Sequence, residues 1–436
     1  MLMKTLLLTA SLLLPSTPCL AADPPDSGYV AHEWGTFTSV QGSDGVVLYW
    51  NSAVTSRLPG FVYSRNHPFN DRTLDKAALM LAGKTDGLWL ERMETPVIYF
   101  YSPKERSVDV KVEFPQGQVT EWFPQLAGYG PNLPLPNIPS TATNSFIEWQ
   151  GVNLLPNGQS TAAPPPAPVA GQKFEYFAAR HTDATLLRSP GGLGGQKKSE
   201  AEKFLFYRGV GNFSTPLEVK SDATGQSLNL RNTGKAPLLE AYLLTVHHGR
   251  AAFTRLEALP AGDTQTVALP SATGLRSLAE TLPALGESVA QSLQTAGLYP
   301  AEARAMVETW QESWFGEEGV RVLYLLPRDW TDQILPLTLT PRPRELTRVM
   351  VGRAEILPVS LERELVRQFS RFQQPEARPG AVNTVRQMNL GRFLDPAFLR
   401  LADLLEPHVM EGKEDLTWRN ISALMRAVQE VGLARN

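Results

Sequence analysis

At 436 residues, 42% hydrophobic and 19% charged, the chain is long enough for two or three globular domains and too apolar to be disordered. Its formal charge of −3, with only short basic clusters, gives no footing for a nucleic-acid partner. The single cysteine, Cys19, falls in a leader-like segment, so the rest of the chain has no disulfide, thiolate nucleophile or thiolate metal ligand.

Residues 1–22 read as a secretory leader, with Lys4 as the positive end, an apolar core over 5–14 and Pro15 as the break. Small residues at Cys19 and Ala21 suit cleavage near Ala21/Ala22, while Pro18 directly before Cys19 argues against acylation there. Ten apolar residues are too few to span a bilayer. The expectation is a periplasmic or secreted chain with no transmembrane segment.

Residues 29–40 have the β-branched and aromatic content of a strand, and Gln41-Gly42-Ser43-Asp44-Gly45 should return it through 46–50 as a hairpin. A helix is expected over 74–82. Strands follow at 96–101, 108–114 and 118–123. In the middle one the valines and Phe114 face one way and Asp109, Lys111 and Glu113 the other. Residues 125–171 are proline-dense around one short strand at 146–149, as a linker or surface excursion would be. A strand resumes at 173–179, and the glycines of 191–195 should form a mobile loop.

Five short strands, at 204–208, 217–220, 227–232, 238–247 and 264–269, come at the spacing of a β-sandwich. Helical periodicity then takes over. It runs from Leu275 to Leu293, where Pro283 should break or kink it, and again from Pro300, with Met306, Val307, Trp310 and Trp314 on one face. Strands at 320–326, 334–340 and 349–357 are expected to pack back on the earlier sheets, and the chain from 361 onward is helical. The fold class is therefore mainly β with a helical C-terminal part (α+β), built on a β-sandwich-like core of antiparallel strands. After the leader, the expected regions are 23–170 (β-rich), 171–272 (sandwich-like) and 273–436 (mixed helical).

His32-Glu33-Trp34-Gly35-Thr36 begins like the zinc-protease helix motif, but Thr36 stands where the second histidine belongs, and Gly35 among β-branched residues speaks against a helix. On a strand, His32 and Trp34 share one face and Glu33, Gly35 and Phe37 the other, so His32 and Glu33 do not readily share a ligand. The same alternation separates His247 from His248: either could ligate a metal, but not both together. With no histidine pair on one helix face, no metal and no cofactor is expected. Gly83-Lys84-Thr85 lacks the earlier glycine of a phosphate loop, and no nucleophile elbow occurs.

What remains is a set of carboxylates, bases and aromatics beside strands. His32, Glu33, Glu94 and Asp183 are the catalytic candidates; Trp34, Arg92, Glu121, Trp122, Arg180 and His181 are the substrate-binding candidates. Two carboxylates flanking a sugar bond suffice for glycoside hydrolysis, and strand aromatics can stack on sugars. Against this stands the plainer reading that the charged groups pair at sheet edges and the aromatics fill the core.

The leader, Ala31-His32-Glu33-Trp34-Gly35-Thr36-Phe37-Thr38, Met93-Glu94-Thr95-Pro96-Val97-Ile98-Tyr99-Phe100-Tyr101 and the Trp310 to Trp314 segment together resemble a family of uncharacterised exported bacterial proteins that carry the first of these motifs. The resemblance runs through most of the chain beyond the leader. It implies an envelope location and brings no known activity, so no residue role carries over from it. The functional expectation is a recognition or structural protein of the cell envelope, glycan-facing; the alternative is an extracytoplasmic hydrolase working through the His/Glu/Asp set.

Overall fold

A single strand, Asp26–Gln41, runs through the middle of the molecule, flanked on one side by Pro343–Ile356 in parallel and on the other by Glu91–Tyr101 antiparallel. The computed structural model describes residues 26–50, 58–65, 88–131, 144–156, 163–167, 175–195, 197–408 and 414–433. The expected leader 1–22, the expected helix 74–82 and Gly83-Lys84-Thr85 lie outside them.

The central strand belongs to a ten-stranded sheet. Its order is Arg276–Ser277, Arg250–Leu256, Ala241–His247, Gly319–Leu325, Pro343–Ile356, Asp26–Gln41, Glu91–Tyr101, Leu205–Gly211, Gly117–Phe123 and Tyr63–Ser64. All three expected regions contribute strands to it. A six-stranded sheet, built mainly on Arg106–Phe114, Ser145–Leu155, Leu186–Gly191 and Lys197–Glu202, and a three-stranded sheet of Leu217–Ser221, Ser227–Asn232 and Thr264–Ala268 pack against it. The molecule is thus mainly β with a sandwich-like core and C-terminal helices, as expected. One pair is parallel because the C-terminal strand enters beside the N-terminal one after more than 300 residues of intervening chain.

The central strand is buried on both faces, which sets the layering. Ala31, Glu33, Phe37, Ser39 and Gln41 point to the sheet-covered side, where Phe37 meets Phe213 and Trp330 edge-on at 5.8 and 5.3 Å. Gln41 docks the three-stranded sheet like a missing ladder residue: its side chain donates to Leu217 O and accepts from Val219 N–H, both at 2.8 Å. His32, Trp34, Thr36, Thr38 and Val40 point to the helix-covered side. There the 3-10 turn Glu175–Arg180, the helix Pro300–Trp310 and the C-terminal helices Val359–Phe372, Arg378–Gln387, Leu394–Leu405 and Glu414–Leu433 lie. These last four have their own core around Phe369, Phe393, Leu401 and Leu424, joined by Val40 from the end of the central strand and by Trp50, which bridges to Trp89.

Several expectations change. Residues 46–50 return along the end of the central strand only as far as one antiparallel bridge, Gln41 to Val47, with Leu48 N–H donating to Val40 O and Gly42 N–H to Val46 O; from Ser39 back, that edge is taken by Glu91–Tyr101, so no longer hairpin forms. Residues Glu175–Arg180 are a 3-10 turn rather than a strand, with Tyr176 buried against Phe204 and Phe206. The glycine segment Gly191–Gly195 is not a free loop but joins two paired strands, Leu186–Gly191 and Lys197–Glu202. The helix Leu278–Thr295, started by a Ser277/Glu280 capping box, continues unbroken through Pro283, which lies in its second turn. Finally, His247 and His248 do not diverge. Strand Ala241–His247 ends at His247, and the two-residue turn His248-Gly249 has φ of 49° and 72°, which brings the two rings to 4.0 Å.

Gly352, on the parallel partner strand, shows how tightly the middle is packed. A Cβ there would lie 2.3 Å from Tyr324 Cζ, whose ring covers the glycine across the neighbouring strand. Gly352→Ala should therefore destabilise the fold by about 1–3 kcal/mol through overpacking, read as a lowered midpoint in urea unfolding with unchanged slope. A midpoint equal to the parent's would show that Tyr324 can move aside.

Candidate functional site

The two segments with the densest chemistry in the sequence, around His32 and around Glu94, are neighbouring strands, and their side chains separate into four environments.

On the helix-covered side, Glu302 sits in the first turn of Pro300–Trp310 and reaches back to the Tyr299 backbone N–H at 2.7 Å, in the manner of a capping residue. The same oxygen faces His32 Nδ1 at 2.8 Å, and its partner oxygen accepts from the Tyr101 hydroxyl at 2.8 Å. His32 and Glu302 are both fully buried. With Glu302 as acceptor, Nδ1 is the donor, and His32 Nε2 is left buried with no hydrogen-bond partner among the described residues. The imidazole lies between Tyr299 and Tyr101, at ring distances of 4.4 and 5.5 Å. Burial, reinforced by the Glu302 charge, pushes the Tyr101 hydroxyl far above the ordinary phenol range.

Glu33 points the other way. It accepts from the Tyr207 hydroxyl and from Nε of Arg348, which is its register partner on the parallel strand; Arg348 also donates to Asp332 at 2.7 Å and to Leu335 O at 2.7 Å. Burial alone would depress the Arg348 guanidinium, but the Glu33 charge outweighs it and holds it protonated.

Glu94 and Arg92 share the helix-covered side with His32, but farther along the strand. Thr38 donates to Glu94 at 3.1 Å, and Arg392 from the C-terminal region pairs with it. Arg92 donates to Glu121 at 3.0 Å and to Thr120 at 2.9 Å. Arg208, Arg321, Arg353, Glu317 and Glu355 extend the cluster; Arg353 reaches Glu317 at 2.7 Å and Glu355 at 2.9 Å, and Arg321 reaches Glu355 at 3.0 Å. Burial opposes ionisation of Glu94, yet Arg392, with Arg353 and Arg208 behind it, brings its carboxyl down to about 2. Burial likewise opposes the charge on Glu121, and Arg92 and Arg208 bring it below the usual range. Next to Arg92 but on the opposite face of the strand, Glu91 has no such company, and burial raises it well above that range.

Asp183 alone of the catalytic candidates reaches a cleft. This concavity, of about 450 Å³, is lined by Tyr29, Tyr101, Ser102, Asp183, Tyr299 and Arg344 among others. The loop carrying Asp183 is stitched to the end of Glu91–Tyr101: Thr185 N–H donates to Phe100 O at 2.8 Å, and Thr185 Oγ1 accepts from Ser102 N–H at 3.0 Å. The side chains of Asp183 and Arg344 have no hydrogen bond or ion pair among the described residues. Tyr299 is 39% exposed; it lines the cleft and its ring also packs on His32 at 4.4 Å.

The binding candidates are distributed in the same way. Trp34 and Trp122 are fully buried, Trp122 against Tyr129 at 5.7 Å, so neither offers a stacking surface to solvent. Arg180 is occupied by Glu202 at 2.7 Å, by Pro165 O at 2.7 Å and by the Phe177 ring. His181, on the surface, pairs with Glu308 at 2.9 Å. Sequence reading passed over Tyr299, Glu302 and Arg344. The Pro300 start with Glu302 two residues on marks a helix N-terminus, but nothing local ties Glu302 to a histidine 270 residues earlier.

No family model and no curated protein matches the chain. Among solved structures, the yeast delta-COP-I mu-homology domain is similar at a TM-score of 0.28 and 8% identity, over 76% of this chain and 99% of that chain. Its complex with a Dsl1 WxWxV peptide gives 0.27 and 7% over the same shares. Likeness at this level carries no functional argument. No helix among the described residues is long and apolar enough to cross a membrane.

The Glu94 environment predicts acid sensitivity with a definite sign. Its folded carboxyl titrates near 2 against an ordinary 4.5, so the stability it contributes is complete above about 4.5 and is lost as pH falls toward 2. Glu94→Gln should remove that acid limb and cost on the order of 3 kcal/mol at neutral pH, because the part-buried Arg392 loses its nearest carboxylate and keeps only Glu317 at 3.8 Å. Urea unfolding at a series of pH values measures both. Parallel pH profiles for variant and parent would refute the assignment.

Proposed function

We propose that the protein is an exported recognition protein of the cell envelope whose tyrosine-lined cleft binds a saccharide. The observation that carries this reading is the presence, in one cleft, of two opposite exposed charges that pair with none of the described residues, Asp183 and Arg344, beside the partly exposed ring of Tyr299. A sugar presents an apolar face to an aromatic ring and hydroxyls to charged hydrogen-bonding groups, and it profits from both at once. The leader-like residues 1–22 support export. The cleft is rigid at its back: Tyr101 and Tyr299 are tied through Glu302 to His32 on the central strand, so a ligand would meet preordered groups.

The alternative, an extracytoplasmic hydrolase using His32, Glu33, Glu94 and Asp183, has less support. His32 and Glu33 point into different layers, Glu94 is held by Arg392, and Asp183 is the single carboxylate among the described cleft residues, whereas glycoside hydrolysis uses two.

Glycan-array screening of the purified chain should return at least one saccharide, with affinity then measured by calorimetry. Tyr299→Ala and Arg344→Ala should each weaken that binding tenfold or more, about 1.4 kcal/mol; Arg344→Ala should leave the thermal midpoint unchanged, and Tyr299→Ala, which also uncovers the His32 ring, is compared at a temperature where its circular dichroism matches the parent's. An array on which the parent binds nothing would count against the reading. So would full affinity in both variants.

A further inference from the structure

We infer that His247 and His248 at a hairpin end, with Glu318 from the neighbouring strand connection, are a binding site for a borderline divalent transition-metal ion, Zn²⁺ being the best match. The site lies outside the tyrosine-lined cleft and does not depend on the saccharide reading.

The local geometry starts with the turn. Strands Ala241–His247 and Arg250–Leu256 pair with His247 opposite Arg250, leaving His248 and Gly249 as a two-residue connection with both φ values positive. Such a turn matches the twist of a hairpin but favours Gly, Asn or Asp at its first position; histidine is tolerated there with some strain. The reversal has a chemical result. It folds the His248 ring back to 4.0 Å from the His247 ring, where an extended strand would have sent the two to opposite faces.

Glu318 completes the group from the adjacent strand connection, just before Gly319, which pairs with Val246. Its carboxylate faces His247 Nδ1 at 2.7 Å and accepts from the His248 backbone N–H at 3.0 and 3.1 Å. One ligand atom from each of the three side chains lies within 4.8 Å of the others. Tetrahedral coordination with bonds of about 2.0–2.1 Å places ligand atoms roughly 3.3 Å apart, so small side-chain rotations suffice to close on an ion. Two imidazoles and one carboxylate select a borderline transition ion over Ca²⁺ or Mg²⁺, which prefer all-oxygen sets. The His247 side chain is 59% exposed and the Glu318 side chain 13%, so the fourth position opens to solvent for water or an added ligand.

A simple ion pair between His247 and Glu318 would explain the 2.7 Å contact, but it has no use for the His248 ring. That difference makes the site testable. Tag-free full-length protein, stripped with chelator, is titrated with ZnCl₂ by calorimetry, and separately with CoCl₂ to follow its visible absorption. The expected result is one equivalent of Zn²⁺ with micromolar or tighter affinity, a Co²⁺ spectrum of low coordination number, and no heat with CaCl₂. His248→Gly keeps the positive-φ turn while deleting a ligand, and it should weaken Zn²⁺ binding at least thirtyfold with the circular dichroism unchanged. Glu318→Gln, which leaves the turn sequence intact, should weaken it at least tenfold. Absence of saturable Zn²⁺ binding by the parent overturns the inference, as does parental affinity in His248→Gly.

Discussion

The structure depends on keeping a strand that is buried on both faces yet polar on both. His32, Glu33, Thr36, Thr38, Ser39 and Gln41 are all fully removed from water. An unpaired charge in such a place costs several kcal/mol, so the fold has to bring partners to these side chains from elsewhere in the chain. Arg348 answers Glu33, Glu302 answers His32, Arg392 answers Glu94 through the strand next door, and the edge of a whole sheet answers Gln41. Each partner comes from well over a hundred residues away.

The Glu33–Arg348 pair also specifies register. The two residues face one another in the parallel pairing of Asp26–Gln41 with Pro343–Ile356. A slip by one residue would turn Arg348 to the helix-covered side and leave Glu33 buried beside a Tyr207 hydroxyl alone. A parallel pair between the ends of a long chain has a high loop-closure cost, and a charge pair that tolerates only one register makes the competing alignments unfavourable.

These demands divide the molecule chemically. His32, Glu33 and Glu94 are absorbed into structural networks, while Asp183 and Arg344, which pair with none of the described residues, stand at a cleft where the strand Glu91–Tyr101 ends and the helix Pro300–Trp310 begins. His32 connects the two worlds: it braces the tyrosines of the cleft wall from behind through Glu302. Its influence on a ligand would be one of position. At the other end of the molecule the hairpin at His248 brings two histidines together for the opposite reason: a turn, unlike a strand, does not alternate.

Much of this was legible in the residues alone. The β-rich composition, the alternating strand over 108–114, the helical periodicity after Leu275 and the division of His32 from Glu33 across a strand all follow from short-range periodicity, because pleat and helix pitch act over a few residues. What only the tertiary structure decided were the partners: which strands flank Asp26–Gln41, that Glu302 and Arg348 take up the charges beside it, that Glu175–Arg180 turns where its aromatics suggested a strand, and that Asp183 meets Tyr299 and Arg344 in one cleft. Local sequence constrains backbone conformation but carries no distance information across 270 or 315 residues, and the desolvation of buried charge, which selects those partners, acts only once the layers have closed.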